Sequence, residues 1–215
     1  MADSKKMIIF DWNGTLIDDV WLNLNAINGV LEKRKIKPIT TEYYKENFLF
    51  PVSEFYKKLG LDVENEWEEI TKEFSDLYLS NVDKVRLFPD VIPTLEELKK
   101  AGIETNILSA MEHKMLNEHV KMLRISHYFR FIEGIENYYA EGKIHLCRKI
   151  LEESGHTEQD TLFVGDTCHD YATAQAAGCS AMLVSRGHNS AEILKKTGAP
   201  VCGSLTEFLK ILTRG

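Results

Sequence analysis

Five short apolar runs, "MIIF" (7–10), "IETNIL" (103–108), "RFIEGI" (130–135), "TLFVG" (161–165) and "AMLVS" (181–185), alternate with stretches of helical spacing, and this pattern constrains the chain more than any other feature. Strands that alternate with helices pair in parallel, and the crossover helices then cover both faces of the sheet. The helix ends agree with this. "PTLEELKKAG" (93–102) opens on Pro and closes on Lys-Lys and Gly, and Gly155 and Gly178 end two later helices. The expected class is α/β with a parallel sheet.

One interval breaks the alternation. A strand-helix-strand unit needs about 30 residues, yet Asp11 and Ser109, each just after a strand, lie 98 positions apart (109 − 11). Residues 16–85 hold no convincing strand but do show helical stripes, Val20, Leu24, Ile27 and Leu31 in one and Val63, Trp67, Ile70, Phe74 and Leu77 in another. "PVSEFYKKLG" (51–60) between them has the Pro start and Gly stop of a short helix. The expected organisation is a core of residues 1–15 and 86–215, interrupted by a small all-helical domain over 16–85. The acidic run "DVENEWEEITKEFSD" lies mostly opposite the apolar stripe and reads as a solvated helix face.

With 215 residues and 44% hydrophobic content the chain can bury a sizeable core. A formal charge of −7 argues against a surface built for nucleic-acid phosphates or anionic lipid. No run of 18 apolar residues occurs, and the four apolar residues before Asp11 are too few for a secretory leader, so the expected setting is cytoplasmic, without membrane or nucleic-acid partners. Cys147, Cys168, Cys179 and Cys202 lack C-x-x-C or zinc-finger spacing and read as buried or half-buried thiols.

Ligands of open α/β sheets bind beyond the C-terminal ends of the strands. Four polar groups stand there in order: Asp11 with Asn13 and Thr15, then Ser109, then Lys143 in "AEGKIHL", then Asp166 and Asp170 in "LFVGDTCHD". Singly, each has a plain structural role: Asp11 could cap a helix, Ser109 could satisfy a strand end, and Lys143 could lie on the surface. Together they gather three acids and one lysine, an arrangement that is costly without a cation.

"DWNGTLIDD", "ILSA", "GK" ahead of an amphipathic helix, and "GDTCHD" followed by "AQAAG" resemble the four motifs of the haloacid dehalogenase superfamily, in order and over essentially the whole chain. The helical insert resembles the cap of the branch that includes phosphoglycolate phosphatases. The resemblance implies a Rossmann-like core, Mg²⁺ as cofactor, and hydrolysis of a small phosphorylated metabolite; a monomer or small homo-oligomer is expected. It implies Asp11 as the nucleophile that forms an aspartyl-phosphate. Asp11, the backbone carbonyl of Asn13, Asp166 and Asp170 would hold the metal, with Ser109 and Lys143 on the phosphoryl group.

Asn13 departs from the pattern. Phosphatases of this superfamily place a second aspartate there, which protonates the leaving alcohol and then activates water; an amide does neither. Ile144 likewise replaces the Pro that often follows the motif lysine, a minor change at a helix start. Three readings follow: a phosphohydrolase, slow or suited to a good leaving group; a C–P or C–halogen hydrolase, the former needing a cap lysine such as Lys57 or Lys58; and a non-catalytic binder of phosphorylated ligands or a stable phospho-aspartyl switch. His113, His169 and the "SRGHNS" segment (185–190) read as solvated loop residues, while Phe48, Phe50, Phe55 and Tyr56 read as packing within the cap, with one or two at its mouth.

Overall fold

The computed structural model describes residues 5–136 and 141–214; residues 1–4, 137–140 and 215, all within the expected core, lie outside the described residues. β1 (Met7–Phe10) is fully buried, Ile8 and Phe10 entering one apolar cluster and Met7 and Ile9 another. That is the period-two alternation of a strand covered on both faces. The chain turns into β2 (Ile17–Asp18), then runs through α1 (Val20–Lys33), α2 (Thr41–Asn47), α3 (Val52–Lys58) and α4 (Trp67–Leu79) before β3 (Arg86–Leu87). Next α5 (Val91–Lys100), β4 (Glu104–Glu112), α6 (His113–Met122), β5 (Ile132–Ile135), α7 (Glu141–Ser154), β6 (Thr161–Gly165), α8 (Cys168–Ala176) and β7 (Ser180–Val184) alternate. The series continues with α9 (Ala191–Lys195), β8 (Val201–Cys202) and α10 (Leu205–Arg214).

All five expected strands form. The sheet runs β5-β4-β1-β6-β7-β8 with every pairing parallel. The connections therefore change direction between β1 and β6, the switch point of a Rossmann-like order. α5, α6 and α10 cover one face through Leu95, Leu116 and Phe208, and α7 and α8 cover the other through Ile150 and Ala174. Gly102, Gly155 and Gly178, with φ of 70°, 76° and 78°, take the left-handed conformation that ends their helices, as expected.

α1 to α4 pack around a cluster of their own, which joins Ile27, Val30 and Leu31 to Tyr44, Phe55 and Ile70. Gly29 permits the close approach of α1 and α4, since a Cβ there would lie 2.7 Å from Leu77 Cδ1. The acidic run is not wholly solvated: Arg34, just after α1, pairs at 2.6 Å with both Glu66, just before α4, and Glu73 of α4.

Several expectations shift. Ile17 and Asp18 pair antiparallel with Leu87 and Arg86, a ribbon just where the chain leaves and re-enters the core, and too short to show any alternation in sequence. β8 escaped notice for the same reason, as did the seven-residue α2, whose N-terminus is capped by Thr40. α5 starts at Val91, two residues ahead of Pro93, and Val63 precedes α4 rather than belonging to it. The four cysteines are free thiols, three buried and Cys168 half-buried. Among the described residues no helix is long and apolar enough to cross a membrane.

Candidate active site

Asp11 leaves the C-terminal end of β1, and its amide donates to the Val164 carbonyl of β6 at 2.8 Å, so it stands at the switch point. Asp166 follows β6. Thr167 then caps α8 through a reciprocal capping box with Asp170, which turns the Asp170 carboxylate back toward the sheet edge. Ser109 lies in β4, its Oγ accepting from the Met111 amide at 3.0 Å. Lys143, in the first turn of α7, donates to Asp11 Oδ1 and Asp170 Oδ1, both at 2.6 Å. Every residue expected at the site is thus brought to one edge, and Asp11, Ser109, Lys143, Asp166 and Asp170 are all buried.

Oxygens of Asp11, Asp166 and Asp170 lie within 4.8 Å of one another. Burial, reinforced by Asp170, pushes the Asp11 carboxyl well above the usual carboxylate range, and burial raises Asp166 to about 6. Burial opposes ionisation of Asp170 too, but Lys143 outweighs it and holds that carboxyl low; the same pairs keep Lys143 charged despite its burial. One ammonium faces three buried carboxylates, and a hard cation with oxygen preference fits the donor set. Asp166 is held ready for it. Thr15 Oγ1 donates to Oδ1 at 2.7 Å and the His188 amide to Oδ2 at 2.6 Å. A Cβ at Gly14, whose φ is +69°, would overlap that carboxylate, which leaves glycine as the residue for this turn.

Asn13 is fixed by partners that the sequence did not single out. Its Nδ2 donates to Asp19 Oδ2 at 2.7 Å, and Asp19, wholly inaccessible to solvent, also accepts from the Gly14 amide at 2.8 Å and from Asn23 Nδ2 at 2.7 Å. Burial alone would raise the Asp19 carboxyl; the nearby His188 and these donors lower it instead. His188 overturns the solvated reading of "SRGHNS". It is 4% exposed, with Nε2 3.4 Å from Asp19 Oδ1 and Nδ1 2.9 Å from the Tyr44 hydroxyl. Burial opposes its charge, but Asp19 prevails and lifts it to about 9. Asn189, equally buried, donates from Nδ2 to the Phe48 carbonyl at 2.8 Å. The doubled acid in "LIDD" was the one available signal for Asp19. His169 is half-buried, its ring stacked 4.5 Å from that of Phe50, whereas His113 is exposed as expected.

A cavity of about 300 Å³ lies between the helical layer and the sheet edge, lined by Asp11, Asn13, Ser109 and Lys143 on the sheet side. Phe48, Phe50, Phe55 and Tyr56 all line it, more than the one or two expected. Lys57 and Lys58 do not; they are exposed on α3, Lys57 pairing with Glu54 at 3.2 Å.

The chain is 23% identical over 230 residues to the phosphoglycolate phosphatase of Aliivibrio fischeri, covering 97% of this chain and 96% of that one. It is 28% identical over 187 residues to the phosphoglycolate phosphatase of Aquifex aeolicus, covering 85% and 86%. A haloacid dehalogenase-like family protein of Streptococcus pneumoniae shares the fold with a TM-score of 0.83 at 21% identity, over 97% of this chain and 99% of that one. The family model for haloacid dehalogenase-like hydrolases matches residues 8–184. With its motifs gathered at the switch point, the chain belongs to the haloacid dehalogenase-like hydrolase family.

Proposed function

We propose that this hydrolase is a Mg²⁺-dependent phosphohydrolase that acts on a small phosphorylated metabolite through an aspartyl-phosphate on Asp11. The observation that carries the reading is the Asp11 carboxylate, buried at the switch point, bridged by Lys143 to Asp170 and grouped with Asp166. A divalent cation held by Asp11, Asp166, Asp170 and the Asn13 carbonyl would offset the repulsion between these acids and a phosphate dianion. The relatives named phosphoglycolate phosphatase support the phosphatase class.

An Asp11 carboxylate oxygen attacks phosphorus, the bond from phosphorus to the leaving oxygen breaks, and its electron pair departs on that oxygen. Ser109 donates to a phosphoryl oxygen and Lys143 neutralises the transferring group while it orients Asp11. Water then attacks the acyl phosphate, which returns the Asp11 carboxylate and inorganic phosphate. Asn13 orients its neighbours through its amide and transfers no proton. Residues 1–15 and 86–215 would form the catalytic core and 16–85 the cap, a division supported by the separate apolar cluster of α1 to α4. Four free thiols support a reducing, cytoplasmic setting.

The C–P reading draws no support, since it needs a cap lysine at the reacting carbon and Lys57 and Lys58 lie outside the cavity's lining. The test is labelling by acetyl phosphate carrying radioactive phosphorus, with Mg²⁺ present. The native chain is expected to take up label and Asp11→Asn to take up none. Equal labelling of both would remove Asp11 from the nucleophile role.

A further inference from the structure

The cavity beside Asp11 has a chemistry that phosphoryl transfer does not require. At about 300 Å³ it falls at the small end of sites that enclose an organic ligand, roughly 300–1,000 Å³. Beyond the phosphoryl-site residues its lining is rich in aromatic rings, among them Phe48, Phe50, Phe55, Trp67 and Phe74. Phe48 meets both Phe50 and Phe55 edge-on, at 5.3 and 5.5 Å.

The lysine in this lining is already paired. Among the described residues no arginine lines the cavity, and Lys143 is its one lysine, with a carboxylate oxygen 2.6 Å away on each of two sides. His188 is held between Asp19 and Tyr44, and the His169 ring stacks on Phe50, its Nδ1 without a hydrogen-bond partner and its charge disfavoured by burial. Glu112, also in the lining, adds negative charge. A carboxylate or second phosphate on the leaving group would lose its hydration here and meet no free counter-charge, whereas an uncharged ring would meet aromatic faces and edges.

Asn13 points the same way by a separate route. With no acid at that position the leaving oxygen departs as an anion, a step suited to a phenol, whose pKa is about 10, and poorly suited to an aliphatic alcohol.

We propose that the substrate is a phosphate monoester of an uncharged aromatic alcohol, an aryl phosphate of one or two rings whose ring system occupies this cavity. The proposal rests on the phosphohydrolase reading above and narrows it. Attack by Asp11 breaks the bond from phosphorus to the aryl oxygen, the electron pair leaves on the phenolate, and water then hydrolyses the acyl phosphate. The proton released from that water balances the one the phenolate takes up, so aryl phosphate and water give phenol and hydrogen phosphate.

The test uses the native chain with Mg²⁺ and acetyl phosphate as reporter. Benzylphosphonate is expected to inhibit with a Ki at least about tenfold below that of phosphonoacetate, and phenyl phosphate to exceed 4-carboxyphenyl phosphate in kcat/KM by at least about tenfold. The second pair keeps the ring and adds only charge, so leaving-group reactivity does not favour the expected result. A smaller ratio in either pair overturns the proposal. If acetyl phosphate is turned over and labels Asp11 while these preferences are absent, the aromatic assignment alone falls; if acetyl phosphate is inert, the phosphohydrolase reading falls with it. Ser75, on α4 in the helical layer, also lines the cavity. Ser75→Arg, folded by circular dichroism, is expected to erase the preference for benzylphosphonate, and an unchanged preference would take the ring out of this cavity.

Discussion

The Asn13 side-chain amide donates to the fully buried Asp19 carboxylate at 2.7 Å, so the residue that stands where an acid is usual is itself held by one. Asn13→Asp would set two carboxylates against each other, and one would then keep its proton. The substitution is expected to cost about 1–3 kcal/mol of stability in denaturant unfolding. The double variant Asn13→Asp/Asp19→Asn restores an amide–carboxylate pair and is expected to recover about half of that loss or more. The proton gained is expected to raise alkyl phosphate hydrolysis by up to about 10²-fold, with a much smaller gain on aryl phosphates. No gain on either substrate would mean that another group already serves as the acid.

The Asp19–His188 pair gives a pH signature. The folded imidazole is lifted to about 9 from 6.5, so its contribution is fully present below the unfolded value and is lost as pH rises through the folded one. Metal-free native protein is expected to lose stability relative to His188→Gln between about pH 6.5 and 9. Thermal unfolding of both chains across that range checks this, and parallel curves would show that the pair contributes nothing.

Asp166 behaves in the same sense over a lower pH range. Its carboxyl, raised to about 6 by burial, keeps a proton that the unfolded chain has given up, so metal-free stability is expected to fall as pH rises from about 4 to 6. Mg²⁺ at 100 times its Kd is expected to add about 2.7 kcal/mol at neutral pH, and chelation to remove it. Asp166→Asn should abolish that metal-dependent gain in a thermal shift assay; retention of the full gain would place the cation elsewhere.

Lys143 and Lys57 separate the bond classes. Lys143 bridges two carboxylates at 2.6 Å, while Lys57 lies on an exposed helix face. Lys143→Ala is expected to lower kcat on phosphate esters by about 10²-fold or more, and Lys57→Ala to stay within about twofold, as for a surface ion pair. Borohydride trapping of Lys57 with phosphonoacetaldehyde would reverse this ranking.

Asp11, Ser109, Lys143, Asp166 and Asp170 were legible because each sits near a strand end or helix start that hydrophobic periodicity locates, and topology alone then brings them together. Asp19, Tyr44 and His188 were not, because what joins them is contact between the helical layer and the loop after β7, 144 residues apart for the Tyr44–His188 bond. No periodicity encodes such a meeting. A polar loop such as "SRGHNS" reads as solvated until an aromatic layer is seen to cover it. β2, β3, β8 and α2 were missed for a simpler reason, since elements of two or seven residues are too short to show a period.

The turn at Asn13 and Gly14 also bears on chemical ageing. An Asn-Gly sequence deamidates when the glycine nitrogen closes on the side-chain carbonyl to form a succinimide, which hydrolyses to aspartate or isoaspartate. Here the Gly14 nitrogen is committed to Asp19 Oδ1 at 2.8 Å and to the Ile17 carbonyl at 3.0 Å, and the Asn13 amide is drawn to the other Asp19 oxygen. Ring closure would have to break all three bonds. The folded chain therefore guards its asparagine, and conversion to an acid at this position is confined to molecules that have unfolded.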